Sequence, residues 1–342
     1  MTKQRRTIQT VSFGVACGLM SGVALADHPP IGFGIGTGGP IVTIPADTAP
    51  KGSWGIGFDV SYTQADAYSD AELQKFAGEH VHAHSSDYLL STSLGASYGV
   101  TDDFTVGARL PFIHREDIRS PFHSHAGGVT TNAVTDQGDS NGLGDLTVMG
   151  KYRFLKAEQQ NIQAALLFGI KAPTGQTDEK NDQGLKFETE QQPGSGSWDP
   201  LLGLATTFGF GPVSVSGSFL YSFAGEGSQD TDLGNRAFYN IGVFYRLPEA
   251  AHEHGLESVP HGHSNWDVGL ELNGEWQQRE RIDGVEQEDS GGNMLYLSPG
   301  VRYTAKNNLS FYLSVGIPID QKIRKSHPDT DYRVIFGLGM PL

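Results

Sequence analysis

Residues 54–62 read Trp54-Gly55-Ile56-Gly57-Phe58-Asp59-Val60-Ser61-Tyr62, so that every second side chain is large and apolar or aromatic. A period of two sends the large side chains to one face of a β-strand and the small or polar ones to the other. The alternation recurs at 90–98, 104–112, 146–154, 162–170, 202–210, 213–223, 239–245, 266–276, 295–303, 309–317 and 332–340. Strands of about ten residues are long enough to cross a bilayer when tilted, so the pattern predicts twelve such strands.

The composition of the 342-residue chain agrees with a β-rich protein. Charged residues are 18 %, below the roughly 25 % of ordinary soluble domains, and 45 residues are glycine. A bundle of transmembrane helices is excluded, because it needs several apolar runs of about 20 residues and only the N-terminus carries one near that length.

The N-terminus has the pattern of a secretory signal. Lys3, Arg5 and Arg6 precede an apolar stretch at 8–23, and Ala24-Leu25-Ala26 forms a cleavage site. We therefore expect a signal peptide at 1–26, a Gly/Pro-rich N-terminal segment at 27–53 and an outer-membrane β-barrel at 54–342. The Gly-rich start of that segment, 32–39, is expected either free in the periplasm or inside the lumen.

Removal of the signal leaves an acidic chain without cysteine. Its single cysteine, Cys17, lies in the signal, so disulfide and thiol chemistry are excluded. Loss of three cations changes the formal net charge from −15 to −18. A surface this acidic argues against nucleic acid as a partner and is compatible with attraction of cations.

The choice between a membrane barrel and a secreted sandwich depends on the ends and the polar face of the strands. Aromatic residues stand at both ends of several apolar sets, as two interfacial girdles require. Short connections alternate with long ones, which is the outer-membrane pattern of short periplasmic turns and long extracellular loops. The opposite face carries charges of both signs at Arg109, Asp145, Lys151, Arg153, Lys171, Arg246, Asp267, Glu271, Glu275, Arg302 and Arg333. The fold class is therefore all-β, a transmembrane antiparallel up-and-down β-barrel of about 12 strands with long extracellular loops.

Two features depart from this pattern. The connection 247–265 is long although it should be a periplasmic turn. Pro299 interrupts the tenth strand, where a ladder N–H is lost, so either a bulge absorbs it or the count is wrong by one hairpin there.

Four stretches resemble a known family: 39–54 (GPIVTIPADTAPKGSW), 97–104 (SYGVTDDF), 142–147 (GLGDLT) and 197–200 (SWDP). Their order along twelve strands is similar to that in Gram-negative outer-membrane barrels of the phenol-degradation meta-pathway family, often labelled transporters. The resemblance implies an outer-membrane channel or uptake porin and supplies neither a substrate nor catalytic residues. Such barrels usually end on an aromatic residue that the assembly machinery reads, whereas this chain ends Met340-Pro341-Leu342.

Histidines outside the strands are the candidate metal ligands. Imidazole is the commonest metal ligand, and two histidines in a His-x-His pattern point the same way in an extended segment. The candidates are His80, His82, His84, His123, His125, His252, His254, His261 and His263. Neighbouring carboxylates are available at Glu79, Asp87, Glu253 and Glu257. Weak binding of Zn, Cu or Ni is one interpretation and a solvated polar loop is the other; no cofactor is required.

Ser69-Asp70-Ala71-Glu72 has the form of a capping box, which predicts a short helix through Ala77 that carries the His80 group to a loop rim.

Function follows from the lumen of the barrel. Twelve strands enclose more space than side chains fill in an eight-stranded barrel, and small inward residues leave room, among them Ser91, Ser93, Gly95, Ser97, Thr105, Gly107, Ser214, Ser216 and Ser218. We expect a channel or transporter for small solutes, with aromatic compounds or metal ions as candidate cargo. Its partners are expected to be outer-membrane lipid and the assembly machinery, and both termini are expected in the periplasm.

The alternative is a non-conducting barrel with a structural or metal-sequestering role. An outer-membrane hydrolase is a weaker hypothesis, because Ser85, Ser86 and Ser124 supply the residue types beside histidines without the geometry of a triad.

Overall fold

The computed structural model describes residues 39–81, 83–126, 129–248, 264–323 and 327–342. The predicted signal peptide, His82 and the histidines at 252, 254, 261 and 263 therefore lie outside the described residues. In that part of the chain, no helix has the length and apolarity needed to span a membrane.

Strands dominate the described chain. In chain order the strands and the helix are β1 (Trp54–Ala65), α1 (Asp70–Glu79), β2 (Tyr88–Thr101), β3 (Phe104–Ala126), β4 (Val129–Leu143), β5 (Leu146–Ala157), β6 (Ile162–Ala172), β7 (Asp199–Phe210), β8 (Val213–Ser222), β9 (Thr231–Asp232), β10 (Arg236–Arg246), β11 (Asn265–Gln277), β12 (Arg281–Ile282), β13 (Val285–Glu286), β14 (Gly292–Thr304), β15 (Ser310–Ile323) and β16 (Thr330–Pro341). Single 3₁₀ turns occur at Glu158–Gln160, Thr189–Gln191 and Ser228–Asp230.

Twelve strands close into one antiparallel barrel. Its order is β1, β2, β3, β5, β6, β7, β8, β10, β11, β14, β15 and β16, and β1 pairs with β16 from Gly55↔Pro341 to Gln64↔Tyr332. The predicted count and the positions of the twelve strands are confirmed. The extra strand β4 pairs with the part of β3 that extends beyond the barrel wall, while β9, β12 and β13 form a small sheet of their own among the loops.

Along each barrel strand, successive side chains face the outside and the lumen in turn, as the period of two in the sequence predicts. The outer surface carries the apolar set; Leu94 is 65 % exposed and Ile241 is 57 % exposed. The inner surface carries the polar set; Glu271 is 0 % and Arg302 is 1 % exposed. An apolar outer surface is stable only against lipid, so the barrel spans a membrane.

Aromatic pairs mark both ends of the barrel wall. Trp54 lies 4.8 Å from Tyr98 and Trp266 lies 4.8 Å from Tyr303, ring centroid to ring centroid, at the end with the short turns. At the end with the long loops, the Tyr62 ring lies 5.1 Å from that of Tyr88. These groups are the two interfacial girdles that the sequence predicts.

Strand β14, the tenth strand of the barrel, contains Pro299 and still pairs with both of its neighbours. Pro299 stands opposite Leu270 of β11, and the pairing between β14 and β15 shifts by one residue between Leu295 and Tyr296. The extra residue at this shift is Ile319 of β15, so the bulge lies in the neighbouring strand and not at Pro299. Leu297↔Ile317 and Gly300↔Ser314 keep one register on either side of the proline, and the strand count is not changed.

Helix α1 begins where the capping box predicts. Ser69 is the N-cap, its Oγ accepts from the backbone N–H of Glu72, and the Glu72 side chain accepts in return from the backbone N–H of Ser69. The helix ends at His80, whose φ of 57° places it in the left-handed region. The structure thus confirms the helix, which extends to Glu79, and it places His80 at its end.

Candidate functional site

The lumen contains a segment of the chain itself, residues 39–50. Its main anchor is Glu271 on the inner face of β11, which accepts three successive backbone N–H groups. Glu271 Oε2 lies 3.1 Å from the nitrogens of Ile41 and Val42, and Glu271 Oε1 lies 2.8 Å from that of Thr43. Successive backbone N–H groups that converge on one anion form a nest, so the segment supplies hydrogen-bond donors to both oxygens of the buried carboxylate.

Hydroxyls and cations of the wall hold the rest of the segment. Ser218, Thr207 and Thr105 accept from the backbone nitrogens of residues 44, 46 and 49, at 3.1, 3.0 and 2.8 Å. Lys151 Nζ donates to the carbonyl of Pro45 at 3.0 Å, and Arg302 Nη2 donates to that of Pro40 at 3.0 Å. The predicted small inward residues are therefore in part binding partners of the segment, since Thr105 and Ser218 accept from its backbone.

Apolar contacts add to these hydrogen bonds. Ile44 and Ala46 join a buried cluster on the inner face of β5 to β10, which contains Met149, Ala165, Leu167, Leu201, Ala205, Leu220 and Phe238. Ile41 and Val42 join a second cluster with Phe244, Tyr312 and Ile335. Full burial of one aliphatic side chain of this size contributes about 1.5–3 kcal/mol. The lumen therefore has apolar patches in addition to the charges and small residues that the sequence predicts on its inner face.

Glycine is required where the segment meets the wall at its C-terminal end. A Cβ on Gly99 would approach the backbone carbonyl carbon of Pro50 to 2.7 Å. Backbone atoms cannot move aside as a flexible side chain can, so any larger residue at Gly99 displaces the segment.

A cavity of about 530 Å³ remains between the segment and the wall. Its lining includes Ser97, Thr105, Lys151, Thr207, Ser214 and Arg302 from the barrel, together with residues 39–40, 44–45 and 47–50 from the segment. The space is large enough for a small solute and combines hydroxyls, cations and apolar atoms.

The connection between β6 and β7, residues 173–198, folds inward at the opposite end of the lumen. Gln191 and Gln192 are each 2 % exposed. Ser140 Oγ donates to the carbonyl of Gln191 at 2.7 Å, and Arg115 Nη1 lies 3.3 Å from the carbonyls of both glutamines. This inward loop narrows the lumen at the end with the long loops.

Two of the stretches that carry the family resemblance anchor the inward loop. Asp145 accepts from Ser195 Oγ at 2.7 Å and from the backbone of Gly175 at 2.9 Å. Asp199 accepts from Ser197 Oγ at 2.7 Å, and its other oxygen lies 2.6 Å from Lys171 Nζ. The carboxylates of GLGDLT and SWDP thus hold the two ends of the loop to the barrel wall.

Three of the predicted histidines meet on the outer loops. His123 lies on β3, and its Nε2 atom is 2.8 Å from Nε2 of His125. The ring of His80, at the end of α1, lies 4.3 Å from that of His123, centroid to centroid. We call these three residues the outer histidine cluster. Glu79 and Asp87 point elsewhere, because Glu79 pairs with Lys75 and Asp87 lies 3.6 Å from Arg119.

His84 belongs to a different, buried group. Its Nε2 lies 2.8 Å from Glu190 Oε1 and 3.0 Å from Glu188 Oε2. The second oxygen of Glu190 lies 3.3 Å from His327 Nε2. We call His84, Glu188, Glu190 and His327 the buried histidine–glutamate cluster.

Charge coupling shifts the protonation of this cluster. Burial opposes the charged form of His84, yet the Glu190 and Glu188 carboxylates outweigh it and raise the pKa of His84 well above 6.5. Burial likewise disfavours the carboxylate of Glu190, but His84 and His327 hold its pKa well below 4.5. Burial and the nearby Glu190 carboxylate raise the pKa of Glu280 to about 9, so Glu280 is protonated at neutral pH.

Glu188, Glu190, Glu280 and His327 were missed from the sequence. His327 has no second histidine two residues away, and the glutamates lie in segments without a motif. The hydrolase hypothesis gains nothing from the geometry, since Ser85 Oγ accepts from the backbone N–H of Tyr68 at 2.9 Å while the His84 ring faces the glutamates.

A closed twelve-stranded barrel with an apolar outer surface and a polar, charge-lined lumen is an outer-membrane β-barrel. The chain belongs to the family described as "Putative MetA-pathway of phenol degradation", whose model matches residues 117–324. The suspected resemblance is thereby confirmed.

A solved structure with a TM-score above 0.5 supports the same fold. The COG4313 outer membrane channel from Pseudomonas putida F1 is similar with a TM-score of 0.53 at 16 % identity, over 87 % of this chain and 98 % of that chain. The P. putida toluene transporter TodX has a TM-score of 0.42 at 12 % identity, over 86 % and 90 % of the two chains. LpxR from Salmonella typhimurium has a TM-score of 0.42 at 12 % identity, over 83 % and 99 %. At 16 % identity, the likeness to the COG4313 channel concerns the fold alone.

Proposed function

We propose that this protein is an outer-membrane channel for small solutes whose lumen is closed by residues 39–50. The observation that carries the proposal is the cavity of about 530 Å³ between that segment and a hydroxyl- and charge-lined wall. The segment is held by hydrogen bonds and small apolar contacts instead of belonging to the barrel ladder, so it can leave without breaking any strand pairing.

The segment enters the lumen from the end that carries the short turns and the C-terminus. Trp54 and Leu342 exchange two backbone hydrogen bonds there, at 3.3 and 2.7 Å. In an outer-membrane barrel the short turns face the periplasm, and we therefore assign both termini to the periplasm. The segment then acts from the periplasmic side, and the inward loop 173–198 restricts access from outside.

The chemistry of the lumen suits small polar or ionic solutes. Charged side chains of both signs line the lumen and form ion pairs, including Arg333 with Glu275 at 2.7 Å and Arg109 with Asp59 at 3.0 Å. Apolar patches between them allow a solute with a hydrocarbon body. The family description mentions phenol degradation, which makes small aromatic compounds the first solutes to test.

Single-channel conductance in planar bilayers tests the proposal. The purified protein is expected to rest at low conductance with brief openings. A variant that lacks residues 39–50, with its barrel verified by heat-modifiable migration on SDS gels, is expected to conduct steadily. A folded deletion variant that stays silent would contradict a channel and favour the non-conducting barrel.

A metal-sequestering role is the second candidate, and the outer histidine cluster favours it. Exposed imidazoles from α1 and β3 meet there, and imidazole nitrogens bind Zn, Cu or Ni weakly when no closed shell surrounds the ion. Whole cells that display the protein should take up Zn²⁺ at high salt, and the triple variant His80→Ala/His123→Ala/His125→Ala should take up less. Equal uptake by both would contradict this role.

A further inference from the structure

We propose that the buried histidine–glutamate cluster, His84, Glu188, Glu190 and His327, is a binding site for one divalent transition-metal ion such as Zn²⁺, which ties three long loops together across the mouth of the barrel. The proposal concerns a different place from the outer histidine cluster and is independent of whether the barrel conducts.

The donor atoms already converge. One ligand atom from each of His84, Glu188 and Glu190 lies within 4.8 Å of the others. Two donors bound to the same tetrahedral Zn²⁺, at bonds of about 2.0–2.1 Å, stand about 3.4 Å apart. The His84 nitrogen stands 2.8 and 3.0 Å from the two carboxylate oxygens, so a small opening of the side chains admits the ion.

Glu190 links the two imidazoles. Its Oε1 faces His84 and its Oε2 faces His327, at 2.8 and 3.3 Å, and its side chain is only 7 % exposed. One nitrogen, from His84, and two oxygens, from Glu188 and Glu190, converge, and His327 adds a second imidazole on the other oxygen of Glu190. That mixed set suits Zn²⁺ and its neighbours better than Ca²⁺ or Mg²⁺, which prefer oxygen alone.

The charge of the site favours a cation. Glu188 and Glu190 bring two carboxylates to His84, and an ion of charge +2 that takes the place of the proton on His84 Nε2 is balanced by those two carboxylates. Such a balance distinguishes this cluster from an ordinary surface ion pair.

Surrounding groups orient the ligands. The side-chain amide of Gln191 lies 2.7 Å from His84 Nδ1, and its Oε1 has no hydrogen-bond partner among the described residues. A half-turn of that amide places Oε1 as acceptor for an Nδ1–H, which is the tautomer that leaves Nε2 free to bind metal. Tyr68 Oη donates to the carbonyl of His327 at 2.7 Å and fixes the third loop.

Zinc titration of the full-length purified barrel tests the site. After EDTA treatment and removal of the chelator, calorimetry with ZnCl₂ at high salt should show one saturable equivalent per chain. His84→Ala and Glu190→Gln should lose that equivalent. The control Glu226→Gln removes an exposed loop carboxylate outside the cluster and should retain it, as should His123→Ala/His125→Ala.

Folding is checked separately by heat-modifiable migration on SDS gels. If a buried variant does not fold, Glu188→Gln serves instead, because the Glu188 side chain is 46 % exposed and tolerates the change. We expect at least about tenfold weaker binding for it. A folded wild type without a saturable equivalent would overturn the proposal, and so would full binding in folded Glu188→Gln or loss of binding in His123→Ala/His125→Ala. None of these outcomes depends on conductance, so the channel proposal is tested apart from this one.

Discussion

Glu271→Gln should release residues 39–50 from the lumen. The carboxylate accepts the backbone N–H groups of Ile41, Val42 and Thr43 at 2.8 to 3.2 Å, and the residue is 0 % exposed. Hydrogen bonds to a charged acceptor contribute about 1.5–3 kcal/mol each. Glutamine keeps one acceptor oxygen and turns a donor N–H₂ toward another donor, so it loses the charge and at least one bond.

The expected loss is about 2–4 kcal/mol, and it falls only on the state with the segment docked. That difference shifts the equilibrium between docked and released segment by about 30- to 1,000-fold. The fraction of time that a single channel spends open should rise by the same factor until it saturates.

Cysteine accessibility gives a second measure of release. The only natural cysteine is Cys17, within the predicted signal peptide, so Val42→Cys introduces a single thiol into the mature chain. Val42 is 7 % exposed in the docked segment, and its thiol should react slowly with a maleimide. In the double variant Val42→Cys/Glu271→Gln, the labelling rate should rise by the same factor as the open fraction measured in bilayers.

Glu275→Gln is the matched control. Glu275 lies on the same face of β11, four residues further along, and pairs with Arg333 instead of the segment. It removes the same charge from the lumen and should leave the labelling rate of Val42→Cys unchanged. Equal labelling in wild type, Glu271→Gln and Glu275→Gln would refute the anchoring role of Glu271.

Three further predictions concern the wall and the loops. Phe168→Arg puts a cation on the lipid face and should cost about 2–4 kcal/mol, visible as loss of the heat-modifiable band, whereas Ser214→Arg in the cavity should assemble and lower conductance. Gly99→Ala should displace the segment at Pro50 and raise the open fraction in bilayers; an unchanged open fraction would argue against a close contact there. Because the pKa of Glu280 is raised to about 9, its stabilising contribution is complete below 4.5 and is lost as the pH rises toward 9. Metal-free wild type should therefore become more protease-sensitive in its loops between pH 6 and 9, and Glu280→Gln should show a smaller change.

The barrel wall was predictable because its signal is local. Alternation over about ten residues fixes which face of a strand meets lipid, and a shift by one residue would expose the charged set. The twelve strands, the inward charges such as Arg302 and Glu271, and the capped helix at Ser69 all rest on neighbouring residues in the chain.

The extension of β3 and its partner β4 was not predictable by the same reasoning. The sequence pattern predicts a long connection at 113–141, between the predicted strands 104–112 and 146–154, because both faces of this hairpin are largely polar and no alternation marks it. This hairpin pairs through its backbone and through cross-strand polar contacts such as His123 Nδ1 with Asn132 Oδ1 at 2.7 Å. Neither kind of contact produces an alternation of apolar and polar residues in the sequence.

Tertiary structure alone decided what occupies the lumen and which acids meet His84. Ile41 and Glu271 are 230 residues apart, and a nest of backbone N–H groups has no side-chain signature in sequence. His84, Glu190 and His327 come from three loops that closure of the barrel brings to one mouth. The sequence by itself determined the wall, because each strand reports its own two faces. The contents of the lumen depend on which distant residues the closed wall places opposite one another, and only the folded chain specifies that.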